Sequence, residues 1–183
     1  MSASSLKLRM MIVTALFAAI IGVLAQVTIP LPLVPITGQT LAIGLAATIL
    51  GWRYGTLSIL LYLALGAIGV PVFAQMSAGV GILFGPTGGY LFSFIPTALC
   101  IGLYLEKTSF NFKNAIIANI IGMFISLLLG TVWLKYIAEL SWGAAFASGV
   151  APFLIVGLIK AVLAAWIGIM VRQRLASANL LYA

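Results

Sequence analysis

The sequence predicts an all-α integral membrane protein with six transmembrane helices, and three observations carry that prediction. Hydrophobic residues make up 64 % of the 183-residue chain and charged residues only 6 %, with a mean hydropathy of +1.28, a balance foreign to soluble domains. The apolar runs are each long enough, or nearly so, to cross a hydrocarbon layer, which takes about 20 helical residues. The basic residues fall singly or in pairs between those runs. With short connections there is room for about six helices and for no extramembrane domain of any size.

The chain reads as a single transmembrane domain over 1–183, with spans at 8–27, 36–50, 55–68, 86–105, 114–136 and 149–171. The first follows Lys7 and Arg9 and is too long for a cleaved signal core, so it is expected to stay as a helix. Its small residues lie four apart, at Ala15/Ala19 and Ala18/Gly22, and suit close contact either inside the bundle or with a partner protein. The next connection, TIPLPLVPIT, holds three prolines and favours extended backbone. The second and third spans are short and either tilt or stop part-way. Between the third and fourth, GVPVFAQMSAGVGILFGPTGGY is uncharged and punctuated by glycine. Its last six residues, 85–90, read as a turn and helix start with Pro86 at the first helical position, and serve either as a structural cap or as amide donors to a ligand. Both loops are apolar where outer loops are ordinarily polar, so they form lids over an opening between helices or wedges that fill the bundle.

Orientation follows from the basic residues. With a cytoplasmic N-terminus, Lys7, Arg9, Arg53, Lys107, Lys113, Arg172 and Arg174 face the cytoplasm and Lys135 faces out, which obeys the positive-inside bias and, with six spans, puts both termini in the cytoplasm. Trp52, Tyr54, Tyr104, Tyr136 and Trp142 fall near span ends as interfacial anchors. This topology accounts for the formal charge of +7, and no nucleic-acid partner is expected.

Lys160 stands apart. It lies twelve residues before Arg172 in PFLIVGLIKAVLAAWIGIMV, about 18 Å along a helix and so near mid-membrane. An ionisable group there marks a functional site, unless it snorkels or packs neutral. Phe153, Gly157, Ala164 and Gly168 share its helix face at spacings of three and four, which turns Lys160 toward protein.

Several functions are excluded. There is no His, and the two acids, Glu106 and Glu139, sit at span ends, so no carboxylate pair, metal cluster or positioned base can form and the chain is not expected to be an enzyme. No cofactor or metal is expected. Ion-coupled carriers ordinarily keep carboxylates or His in the membrane, and no phosphate loop is present, so energy for uphill transport has to come from another chain. Cys100 permits no internal disulfide. A lone buried cation suits an anionic or hydrogen-bond-accepting ligand.

Three segments in register, GWRYGTLSILLYLALGAIGVPVFA, GPTGGYLFSF and PFLIVGLIKA, resemble the BioY family, the biotin-specific substrate-binding (S) components of energy-coupling factor (ECF) transporters. The resemblance runs from about Ala15 to Arg172. It implies the six-helix S-component fold in the bacterial cytoplasmic membrane, biotin bound near the outer face under the two loops, and a transmembrane coupling protein with two ATPase subunits, toward which the S component topples to release its ligand. The implied ligand residues are Thr37, Gln39, Phe73, Gln75, Ser77, Gly85, Thr87, Gly88, Gly89, Tyr90 and Lys160. The implied partner face is Ala15 and Ala19 with Ala18 beside them. The family's last-helix motif reads like P-F-L-P-G-D-x-x-K; here Pro152, Phe153, Leu154 and Lys160 match, Gly157 stands where the acid belongs, and Ser77 falls near a usual Asn. Those departures leave Gln39, Gln75, Ser77 or water to meet the ureido ring. The competing readings are an S component for another small vitamin and a membrane scaffold without a ligand.

Overall fold

A computed structural model describes residues 3–178 and 180. Seven α-helices follow one another: α1 Ala3–Ala25, α2 Gln39–Ala67, α3 Val80–Leu83, α4 Gly88–Lys107, α5 Phe112–Ile137, α6 Trp142–Gly149 and α7 Ala151–Ser177. Among the described residues, five stretches are long and apolar enough to cross a membrane, α6 and α7 counting together.

The spans expected at 36–50 and 55–68 are the two arms of α2. Gly51 interrupts it at φ 76°, ψ −175°, a conformation in practice reserved for glycine. The chain reverses there. A Cβ on Gly55 would stand 2.9 Å from the Cα of Ala47, and Gln39 Nε2 donates to the Tyr62 hydroxyl at 2.6 Å, whereas 23 residues of straight helix would separate them by about 35 Å. Residues 39–50 and 52–67 therefore lie antiparallel, side by side, and the chain makes six passes. At about 1.5 Å per residue the arms reach roughly 18 and 24 Å, short of a hydrocarbon layer of about 30 Å. The loops at their far end must then fold into the bundle.

The near end is tied across three helices. Trp52 N donates to Glu106 Oε1 at 3.3 Å, Arg172 donates to the carbonyl of Ile49, and its guanidinium lies 3.5 Å over the Phe110 ring. Met10 packs with Ile49 and Leu50. The segments carrying the seven basic residues thus meet at this end, and Lys135 lies at the other, beside the Tyr136 and Trp142 rings.

At the far end the proline loop is extended as expected. Its strands β1 (Thr28–Ile29) and β2 (Ile36–Thr37) pair antiparallel, Thr28 opposite Thr37 and Ile29 opposite Ile36. The short helices α3 and α6 depart from the expected loops. Ser141 starts α6 by accepting from Ala144 N at 3.2 Å, as an N-cap does, and Asn111 does the same for Asn114 N at 2.9 Å at the head of α5. The core runs between the arms of α2, α4 and α5, where Ile43, Ile59, Tyr62, Ile101, Leu105 and Leu134 are buried. Small residues bring α2 and α7 together: a Cβ on Gly168 would meet Thr48 Cγ2 at 2.7 Å and one on Gly44 would meet Ala164 Cβ at 2.8 Å.

Candidate ligand cavity

Above that tightly packed layer the bundle opens into a cavity of about 340 Å³, within the range of about 300–1,000 Å³ for small-molecule sites. Its roof is the two apolar loops, through residues 31–35, 73–75 and 77; its walls are α2, α4, α5 and α7. The short arms of α2 explain the depth, since the loops have to descend to meet them.

Lys160 enters from α7. Its Nζ donates to the Thr37 carbonyl at 2.6 Å and to Thr40 Oγ1 at 3.4 Å. An ammonium has three N–H donors, so one remains for the cavity that Lys160 lines. The extended proline loop makes this contact available, because β2 ends at Thr37 and leaves its carbonyl outside the helix. Thr37 Oγ1 donates to Gln39 Oε1 at 2.7 Å, and Gln39 Nε2 in turn donates to the Tyr62 hydroxyl at 2.6 Å. Gln39 is therefore held at both amide atoms, spanning the mouth of the α2 hairpin.

The second loop is fixed by glycine and by Gln26. Phe73 lies against Gly66, where no Cβ would fit, and meets Tyr62 edge-on at 5.6 Å and 79°. Gln26 Nε2 donates to the Phe73 carbonyl at 3.0 Å, while its Oε1 accepts from Met76 N at 2.8 Å. Gln75 is exposed at the rim with φ 58°, and Ser77 Oγ donates to the Ala74 carbonyl at 2.7 Å. From α4, Tyr90 stacks on Phe153, centroids 6.1 Å apart, and its hydroxyl donates to the Gly149 carbonyl at 2.8 Å.

Eight expected residues thus line one cavity: Thr37, Gln39, Phe73, Gln75, Ser77, Thr87, Tyr90 and Lys160. Three glycines do not. Gly85 accepts from Trp133 Nε1 at 3.0 Å, Gly88 backs onto Leu83, and Gly89 backs onto the Trp133 side chain. The amides of Gly88 and Tyr90 donate to the Gly85 and Thr87 carbonyls at 3.0 and 3.1 Å. At Gly88 and Tyr90 the backbone donors are thus bonded within the segment, as in a structural cap. On α1, Ala15 and Ala19 are exposed, but Ala18 is 1 % exposed and belongs to the core. It faces inward one turn before Ile21 and Gly22, and Gly22 touches Val72, which removes Ala18 from the expected partner face.

Sequence reasoning missed the floor. Thr97, Asn119, Met123 and Ser126 line the cavity from α4 and α5. Asn119, a lone amide inside an apolar run, carried the signal, because a polar group at membrane depth is a candidate site by default. A Cβ on Gly157 would come within 2.6 Å of Met123 Sδ, so methionine fills the space a side chain at 157 would use. Among the lining residues Lys160 is the one cation, and none is acidic.

Apolar helices enclosing a polar-edged cavity beneath folded-in loops define a multi-pass membrane protein with an internal site open to neutral or anionic solutes. The whole chain has known counterparts. Biotin transporter BioY2 of Lactococcus lactis subsp. cremoris is 42 % identical over 173 residues, 94 % of this chain and 95 % of that protein. The biotin transporter BioY of Thermotoga maritima is 40 % identical over 167 residues, covering 91 % and 97 %. The crystal structure of the S-component for biotin from an ECF-type ABC transporter superposes with a TM-score of 0.86 at 30 % identity, over 94 % of this chain and 95 % of that one. The BioY family pattern matches residues 1–177. The chain belongs to the BioY family, a family of transporter S-components and not of enzymes, and has the S-component fold.

Proposed function

We propose that this protein captures biotin for uptake across a bacterial cytoplasmic membrane, as the substrate-specific component of an ECF-type transporter. The observation that carries the reading is the cavity of about 340 Å³ that offers one lysine, neutral polar groups and aromatic walls, with no acid among its lining residues. Biotin brings a carboxylate, a ureido carbonyl and an apolar body, which such a lining can meet without a buried counter-charge. The names of the relatives support the same ligand. Lys160 supplies a donor at mid-membrane, Tyr90 and Phe73 supply aromatic walls, and Gln75, Ser77 and Thr87 form the rim.

Both termini are proposed to be cytoplasmic, because seven basic residues gather at one end and the positive-inside bias selects that orientation. The energy is proposed to come from a transmembrane coupling protein with two ATPase subunits, docked on the exposed Ala15 and Ala19 face. Below the cavity α2 and α7 are in backbone-close contact at Gly44 and Gly168, so release calls for movement of the whole domain rather than a pore.

The purified protein should carry biotin detectable by mass spectrometry and should bind it in a calorimetric titration. Absence of binding at micromolar biotin would sink the proposal, and binding of a different small vitamin in its place would favour an S component of another specificity.

A further inference from the structure

Asn119 sits on the cavity floor, 4 % exposed. Its Nδ2 donates to the Ala115 carbonyl at 2.8 Å and to Thr48 Oγ1 at 3.0 Å. A backbone carbonyl only accepts, so the amide nitrogen must be the atom on that side and the orientation of the amide is chemically fixed. Oδ1 then lies beside Gly44, where the missing Cβ leaves it room. No hydrogen bond reaches it, yet it is not sealed off: among the described residues Thr56 Oγ1 alone is both buried and unpartnered. Oδ1 is therefore open to the cavity that Asn119 lines.

Its neighbours define what it could bind. Lys160 touches Thr40, one turn of α2 farther out than Gly44, so a donor and an open acceptor face the same space at levels roughly 6 Å apart. The other buried polar side chains of the lining are already engaged: Gln39 through both amide atoms, Thr97 with the Gly122 carbonyl, Ser126 with Ser93. Gln75 and Thr87 stand at the outer rim. A ligand that presents an acceptor and an N–H close together would satisfy both, and one that lacks the N–H would strand a buried acceptor.

We propose that Asn119 Oδ1 accepts an N–H of the biotin ureido ring and makes the site selective for ligands carrying that donor. This rests on the biotin reading above. It supplies from α5, with a neutral amide, the acceptor that Gly157 and an acid-free lining do not provide.

The test compares biotin with its two cyclic carbamate analogues, in each of which one ureido N–H is replaced by oxygen with little change of shape. Dissociation constants are measured by calorimetry in detergent for the wild type, Asn119→Ala, Asn119→Ser and Thr48→Val. Serine can keep a bond to the carbonyl one turn back but cannot reach the ligand; Thr48→Val removes a partner of Nδ2 and keeps Oδ1. The wild type should bind one carbamate about tenfold more weakly than biotin, or worse, as expected when a buried acceptor loses its donor. Both Asn119 variants should compress that ratio to about threefold or less, and Thr48→Val should retain it. Equal wild-type affinity for biotin and both carbamates overturns the proposal and needs no variant to fold. So does a tenfold ratio surviving in the Asn119 variants, or its loss in Thr48→Val, which would mark a packing role. Failure of the wild type to bind biotin at all instead overturns the functional reading on which the proposal stands.

Discussion

Replacing Lys160 with methionine isolates the ammonium, because the two side chains have similar length and flexibility and the apolar stem stays packed. In the native protein Nζ gives one N–H to the Thr37 carbonyl at 2.6 Å and another to Thr40 Oγ1 at 3.4 Å, with the third facing the cavity. The short first bond anchors the group; the long second one leaves it free to swing toward a ligand. Lys160→Met therefore removes one charge-assisted hydrogen bond to the ligand, worth about 1.5–3 kcal/mol. At about 1.4 kcal/mol per decade this is about a 10- to 150-fold rise in Kd for biotin. The assay is calorimetric titration in detergent, with Lys135→Ala as the control. Lys135 lies over the rings of Tyr136 and Trp142, at 4.3 and 5.0 Å, and is not part of the cavity lining, so its loss should change Kd less than twofold. A Lys160→Met protein within threefold of the wild type, or equal changes in the two variants, would refute a ligand-contacting role for Lys160.

Gly51→Ala should lower the thermal unfolding midpoint, because a side chain at φ 76°, ψ −175° is strained by about 1–3 kcal/mol and its Cβ would meet Glu106 Oε1 at 2.5 Å; an unchanged melting curve would contradict the tight reversal. Gly157→Asp introduces a Cβ only 2.6 Å from Met123 Sδ and should weaken biotin binding, whereas the double variant with Met123→Ala should recover affinity to the wild-type level or beyond; no recovery would show that space is not what Met123 controls. Ala15→Trp with Ala19→Trp should abolish cellular biotin uptake and leave binding by the purified protein within twofold, since both positions are exposed on α1. A parallel fall in binding would place that face inside the bundle.

The sequence carried the fold at the level of passes and lost it at the level of turns. Hydropathy marks where apolar chain begins and ends, and the expected break between residues 50 and 55 is the reversal at Gly51. Nothing local distinguishes a glycine that reverses the chain from one that merely sits in a helix, as Gly55 does, because the difference lies in what packs against it. The helix α6 was missed for a related reason: eight residues give too few turns for a periodic pattern, and only the Ser141 cap announces its start.

In the site, groups with a distinctive chemistry were legible and groups with a distinctive position were not. Lys160, Gln39 and Tyr90 are conspicuous because polar atoms in apolar runs have to be satisfied. The glycines at 85, 88 and 89 carried the opposite hazard. Their spacing suits a ligand-binding helix start, but Leu83 and Trp133 occupy the space that Gly88 and Gly89 leave, so close packing is what requires those two. Gln26 shows the limit of the polar rule, since it holds the second loop through the Phe73 carbonyl and the Met76 amide, partners 47 and 50 residues away that no pattern along the chain connects.

The lining also explains how a lysine inside a membrane-spanning helix persists with no acid among the lining residues. A buried charge left without partners is costly, and a paired acid restores little net stability because both ions must be desolvated. Here the partners are dipoles: the Thr37 carbonyl, set free by the end of β2, and the Thr40 hydroxyl on the first turn of α2. Both belong to the segment that roofs and walls the cavity, so the proline loop is needed twice, to cover the site and to keep its one cation in place. A substitution that straightened this loop would then unseat Lys160 even though it left Lys160 itself unchanged, which couples the shape of the roof to the charge beneath it.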